Sequence, residues 1–239
     1  MIFEKIRNIN LDNLSELKNK VFITFDLDWC SEEVLDYTLN IVEKNKISAS
    51  FFVTHNTQLL NRMRNNDQIE LGIHPNFNNL LDGNYQYGRN VDEVIEHFKN
   101  IVPESLSVRS HSLTQSSNIL NSFEKFGLKF ECNTFVPFSS NIQIYPYRHW
   151  TKNLIKVPFF WEDDLSCIYG WEYNVKNFLS YEGIKVFNFH PIHVFLNTKN
   201  LDTYYKSKEW QHKKIDLEEY RNQDYGTYNF LMDLIKLSK

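Results

Sequence analysis

Val21-Phe22-Ile23-Thr24-Phe25-Asp26-Leu27-Asp28 runs apolar for most of its length and ends in two carboxylates. A run this short, rich in Val, Ile and Phe, reads as a buried β-strand. Similar runs follow at Ile47–Thr54, Ile69–His74, Ser105–His111, Leu128–Thr134, Leu154–Trp161 and Lys185–His190. Helix-like stretches separate them at Ser31–Asn45, Asn56–Asn65, Asp92–Val102 and Ser116–Phe126. Ser31 before Glu32 and Glu33 suits a helix N-terminus, and Gly127 is placed to stop the fourth helix. Strand–helix alternation implies a parallel sheet. The expected architecture is α/β, an irregular or incomplete (β/α)7 barrel, with a flat doubly wound sheet as the alternative pattern.

At 239 residues, one domain over 1–239 is expected. Within it, 199–239 reads as a lid or peripheral wrap followed by a closing amphipathic helix carrying Phe230, Leu231, Leu234 and Ile235. Hydrophobic residues at 42% and charged residues at 23% are ordinary for a soluble globular chain. A net charge of −4 gives no reason to expect nucleic acid. The basic stretch Lys206–Lys214 is interrupted by Glu209, Trp210, Gln211 and His212 and reads as a solvated face. No apolar run is long enough to span a bilayer, and Met1–Lys20 carries charge throughout, so no signal peptide is expected. Cys30, Cys132 and Cys167 are widely spaced and odd in number, which points to reduced thiols and a cytoplasmic location.

The polar residues gather at strand ends. In a parallel sheet or barrel these C-terminal ends share the face where active sites form. Asp26 and Asp28, two apart on an extended strand, would point together roughly 6–7 Å apart. Two such charges repel unless a cation lies near or one is protonated, and a divalent metal resolves this. The plainer reading makes Asp28 a helix cap. His74 and His190 each precede a proline, which holds them at the last extended position of a strand. There an imidazole can bind metal, move a proton, or simply fill core. Arg109 can orient a catalytic carboxylate or form a surface ion pair. His111, two residues on, can be a metal ligand, a substrate donor, or a partner of another histidine. His55 can equally belong to a helix N-terminal turn. Tyr85, Tyr87 and Trp161 are candidates to stack on sugar, with His55 and His193 as further substrate contacts.

In order along the chain these motifs resemble the NodB-homology polysaccharide deacetylases, carbohydrate esterase family 4. Thr24-Phe25-Asp26-Leu27-Asp28 resembles the first motif, which makes Asp26 the base and Asp28 a metal ligand. Leu71-Gly72-Ile73-His74 resembles the start of the second, whose histidine binds metal. Val108-Arg109-Ser110-His111 falls at the third, and Trp161-Glu162-Asp163-Asp164 near the acidic fourth. Val186-Phe187-Asn188-Phe189-His190 resembles the last, whose histidine protonates the leaving amine. Phe51-Phe52-Val53-Thr54-His55, His74-Pro75-Asn76-Phe77, Arg109-Ser110-His111-Ser112 and Phe189-His190-Pro191-Ile192-His193 look like the WbmS-like branch, linked to O-antigen and other surface polysaccharides. The resemblance covers roughly residues 20–198.

One position departs. The family's second metal histidine, four residues after the first, is Asn78 here. Amide oxygen is a poor zinc ligand, so His111 is expected as the replacement, with Asn78, His55 or His193 behind it. The resemblance implies a divalent metal, zinc first, and hydrolysis of an acyl group from an N-acylated sugar or sugar carrier in surface-polysaccharide synthesis. The alternatives are a catalytically inactive carbohydrate-binding or assembly protein on the same barrel, and a metal hydrolase of a non-sugar amide or ester.

Overall fold

The computed structural model describes residues 1–208 and 217–238. Its strands are β1 (Ile2–Phe3), β2 (Lys20–Asp26), β3 (Ala49–Val53), β4 (Ile69–Ile73), β5 (Ser107–Val108), β6 (Phe130–Glu131), β7 (Tyr147–Arg148), β8 (Ile155–Lys156), β9 (Trp161–Glu162) and β10 (Lys185–Phe189). They form one sheet in the order β7-β8-β6-β5-β4-β3-β2-β10-β9, with β1 beside β2 off that path. Every pairing is parallel except β7 with β8. The end strands β7 and β9 do not pair among the described residues, so the sheet curls into a half-barrel with an open seam, the incomplete α/β barrel expected from the sequence.

Proline explains the main difference from the sequence reading. Leu154–Trp161 reads as one strand, but it is two at opposite ends of the sheet. β8 pairs with β6, and β9 pairs with β10. Pro158 lies between them and cannot donate to a ladder. The chain therefore crosses the seam here, held by Val157 N–H to Glu131 O (2.7 Å) and Phe159 N–H to Thr134 O (3.0 Å).

The helices begin where capping side chains sit. Ser31 Oγ accepts from Val34 N–H ahead of helix Glu32–Asn45, and Asn90 and Ser116 cap helices Val91–Ile101 and Ser117–Lys125 in the same way. Gly127 follows the last of these with φ +74°, a left-handed conformation that a glycine adopts without strain. The apolar faces close on one large core that runs from Ile6 to Ile235. Phe25 of β2 stacks on Phe51 of β3 at 4.7 Å inside it. Gly72 of β4 is constrained by close approach, since a Cβ there would come within 2.6 Å of Ser107 Oγ and 2.7 Å of the Phe52 ring. In the tail, helix Leu201–Ser207 and helix Thr227–Ser238 are present, and Phe230 of the second lies 4.4 Å from the Trp161 ring. His212 and most of the basic stretch lie outside the described residues.

Candidate active site

The strand ends converge as the parallel sheet requires, but Asp28 does not arrive by strand alternation. β2 stops at Asp26, and Asp28 and Trp29 are both left-handed, with φ of 40° and 55°. Leu27 N–H still bonds Phe52 O (3.1 Å), after which the chain turns back and Cys30 N–H bonds Leu27 O (2.8 Å). Trp29 N–H is held by Thr54 Oγ1 (3.0 Å). Left-handed backbone at non-glycine residues costs roughly 1–3 kcal/mol each. This turn, and not the i, i+2 rule, brings the Asp28 carboxylate over the barrel mouth.

His111 is a second case. β5 ends at Val108, and His111 opens a short 3-10 turn, anchored by its N–H to Pro75 O (3.0 Å). His74 continues from β4, with its N–H on Val53 O (2.9 Å). The result is one cluster. Asp28 Oδ1 lies 3.2 Å from His74 Nε2 and 3.3 Å from His111 Nδ1. Asp28, His74 and His111 donors lie within 4.8 Å of one another. Two ligands of a tetrahedral ion bound at about 2.0–2.1 Å stand about 3.4 Å apart, so the spacing suits a shared cation. Asp28 Oδ1 is buried without a hydrogen-bond partner among the described residues, which suits a carboxylate oxygen placed to meet a cation. Burial would raise the Asp28 carboxyl, but the flanking His111 and His74 outweigh it and hold it well below the ordinary range. Asn78 is occupied elsewhere, donating to Ser112 Oγ (3.0 Å) and accepting from Thr114 Oγ1 (3.1 Å). His55 bonds Thr54 Oγ1 (2.8 Å) and stands outside the cluster.

Below the cluster, Arg109 is fully buried between the rings of Phe52 and Phe159, 4.6 and 4.5 Å from their centres. Its Nη1 donates to Asp26 Oδ1 (3.0 Å), to Thr24 Oγ1 (2.9 Å) and to Asn188 Oδ1. Its Nε donates to Cys132 O (3.0 Å). Asn188 Nδ2 in turn donates to Asp26 Oδ2 (2.9 Å) and to Glu162 Oε1 (3.0 Å). Both Asp26 oxygens are thus fixed. Burial raises this carboxyl, but Arg109, His74 and His190 prevail and leave it below its ordinary value. Asp26 is therefore ionised at neutral pH, the state in which it can accept a proton.

His190 faces the cluster from β10. It caps helix Pro191–Leu196, with extended backbone before Pro191. Asp163 grips it twice, through Nδ1 (2.7 Å) and through its backbone N–H (2.7 Å), while His190 Nε2 lies 3.7 Å from Asp28 Oδ2. Burial opposes the positive charge, yet Asp163 and Asp28 hold the imidazole well above the ordinary histidine value. His193 sits behind it, bonded to Thr198 Oγ1 (3.1 Å), and burial keeps it low. Burial and neighbouring Asp164 push the Glu162 carboxyl up to about 8.

A cleft of about 680 Å³ opens over these groups, between Trp29 and His111 on one side and Tyr204, Tyr205 and Lys208 on the other. The sugar-stacking residues expected from the sequence fare differently. Trp161 is 0% exposed and packed on Phe230 and Phe189, so it is a core residue and is no part of this cleft. Its β-strand points it outward from the barrel, under the closing helix. Tyr85 is exposed on a loop and is not part of the cleft wall. Tyr87 is half-buried behind Trp29, stacked on it at 6.5 Å and 15°. Trp29 itself lines the cleft and went unrecognised in the sequence, as did Asn188 and the particular partnership of Asp163 with His190. The acidic run at 162–164 was the available signal, but which carboxylate meets His190 depends on a helix that starts at Asp163.

A protein-family model described as WbmS-like polysaccharide deacetylase matches residues 23–208. A solved structure from Bordetella bronchiseptica, described as a candidate polysaccharide deacetylase involved in O-antigen biosynthesis (WbmS), superposes with a TM-score of 0.93 at 39% identity, covering 99% of this chain and 98% of that one. A candidate polysaccharide deacetylase from Mycobacterium smegmatis gives a TM-score of 0.45 at 13% identity over 72% of this chain and 77% of its own, a likeness too distant to speak to activity. None of the curated proteins compared matches the chain.

Proposed function

The chain belongs to the WbmS-like family of polysaccharide deacetylases, hydrolases of amide bonds on sugars, and from that premise we propose that it is a metal-dependent N-deacylase acting on an N-acylated sugar or carrier-linked sugar. The observation that carries the reading is the Asp28–His74–His111 cluster, flanked by an ionised Asp26 and a charged His190. Two imidazoles and a carboxylate suit zinc among common divalent ions. Such an ion supplies Lewis acidity for activating water and polarising an amide carbonyl.

The protein's own groups do the proton work. Asp26, clamped by Arg109 and Asn188, accepts the proton of the attacking water. His190, kept protonated by Asp163, delivers a proton to the departing amine, which otherwise leaves poorly. Trp29 and Tyr204 wall the cleft and offer aromatic faces to a sugar ring. The Bordetella bronchiseptica relative is described as involved in O-antigen biosynthesis, and identity of 39% over nearly the whole chain supports the same surface-polysaccharide setting here. Three free thiols are compatible with a cytoplasmic site of action.

The test pairs metal content with turnover. Wild type purified without chelator is expected to hold one divalent ion, and Asp28→Ala to hold none. His111→Ala should bind metal weakly and regain activity as metal is added. Asp26→Asn should keep the metal and lose about 10²–10⁴-fold in rate. A wild-type protein that binds neither zinc nor cobalt defeats the reading, and so does an Asp26→Asn variant of near-normal activity.

A further inference from the structure

The end of the barrel opposite the catalytic mouth carries a surface that the deacylase reading does not use. Lys129 directly precedes β6, and the turn 149–154 directly precedes β8, so both lie at the N-terminal strand ends. Ile144 sits at the same end, bonded through its carbonyl to Ile184 N–H just ahead of β10 (2.9 Å). From this stretch, apolar side chains project into water. Ile142 is 60% exposed, Tyr147 49% and Trp150 70%. They are not on a loose loop. Tyr181 Oη donates to Ile142 O (2.7 Å) and accepts from Ile144 N–H (2.6 Å), and β7 is paired to β8.

Cations share this end of the barrel. Lys129, Arg148 and Lys152 are exposed, border one open hollow, and have no acidic side-chain partner among the described residues. Lys125 at the same hollow is ion-paired with Asp92. Glu124, the one carboxylate lining the hollow among the described residues, turns inward towards His149 and takes a bond from Asn153 (3.4 Å). Three cations without an acidic partner among the described residues therefore lie at the strand end that also carries the exposed Tyr147 and Trp150, on a chain whose net charge is −4.

We propose that this face adsorbs the protein onto an anionic lipid bilayer. Trp and Tyr favour the headgroup layer, where an apolar ring and a polar edge are both accommodated, and Lys and Arg beside them meet anionic headgroups. A second copy of the chain fits less well, because a two-fold contact would set Arg148 and Lys152 against their own counterparts. Adsorption through this patch is oriented by its place at the N-terminal strand ends. The catalytic mouth then faces water, and substrate reaches it from the aqueous side.

Co-sedimentation of the full chain with vesicles tests this. Binding is expected to phosphatidylcholine vesicles containing phosphatidylglycerol, to be absent with phosphatidylcholine alone, and to fall with added salt. Each cation near an anionic surface contributes about fivefold in partitioning, so the triple Lys129→Gln, Arg148→Gln, Lys152→Gln variant should bind on the order of 100-fold more weakly. Trp150→Ser should weaken binding separately, and all these variants should keep wild-type circular dichroism and deacylase activity on a soluble substrate. Failure of wild type to bind the anionic vesicles overturns the proposal, as does undiminished binding by the triple variant. A solution dimer that Trp150→Ser dissolves overturns it in favour of a second copy.

Discussion

Replacing Asp163 with Asn isolates the charge that keeps His190 protonated. The carboxylate now accepts both from Nδ1 and from the backbone N–H of His190, each at 2.7 Å. An amide has one oxygen and can serve only one of these donors, and it carries no charge. A hydrogen bond to a charged group contributes about 1.5–3 kcal/mol, and one pKa step is about 1.4 kcal/mol, so the imidazole should become more acidic by about 1–2 pH units. The sign follows from the role. His190 is active as the cation, its folded-state value is raised, and activity is therefore lost as pH rises through that value. Asp163→Asn should shift the alkaline limb of kcat/KM down by about 1–2 units with the metal retained. An activated ester, whose leaving group needs little protonation, should lose less than an amide. If the rate falls while the alkaline limb stays in place, Asp163 is a structural prop and the reasoning fails. If the amide and the ester fall equally, His190 is not the acid.

The remaining expectations concern stability. Glu162 is held neutral in the fold, with its carboxyl pushed up to about 8, whereas an unfolded glutamate titrates near 4.5. Its stabilising contribution is full below the unfolded value and is lost as pH rises towards about 8. Glu162→Gln should therefore flatten the decline in urea midpoint between pH 5 and pH 8.5, in the range set by that shift, and an unchanged decline would show that Glu162 is ionised in the fold. Trp161→Ala should destabilise by about 3–5 kcal/mol, read as a drop in thermal midpoint, because it opens a cavity beneath the closing helix. A variant of full stability with weakened sugar binding would instead return Trp161 to the cleft.

Much of this was legible because the core strands are apolar up to a polar last residue. Phe25-Asp26, Ile73-His74 and Phe189-His190 each mark the strand end that the fold then brings to the mouth. Two kinds of information were not legible. Turns that depend on left-handed residues outside glycine, as at Asp28 and Trp29, have no signature in a pattern of alternation. Interior hydrogen bonding was equally hidden. Asn188 looks like one polar residue in an apolar strand, and only the folded sheet shows that it joins Arg109, Asp26 and Glu162. Trp161 erred in the other direction, since a tryptophan beside an acidic run suits a sugar platform until its strand is seen to turn it into the core.

The open seam divides the chemistry unequally. The residues clustered for an ion follow β2, β4 and β5, strands with neighbours on both sides, whereas Asp163 follows β9, which among the described residues pairs with β10 alone. Edge elements of this kind open at lower free energy than the centre of a sheet, and amide hydrogen exchange would register it as faster exchange at 161–162 than in β2 or β4. Warming should thus release the partner of His190 before it disturbs the ion-binding strands. A partly loosened molecule would still capture metal while no longer turning over amides, so metal retention is a poor proxy for an intact enzyme.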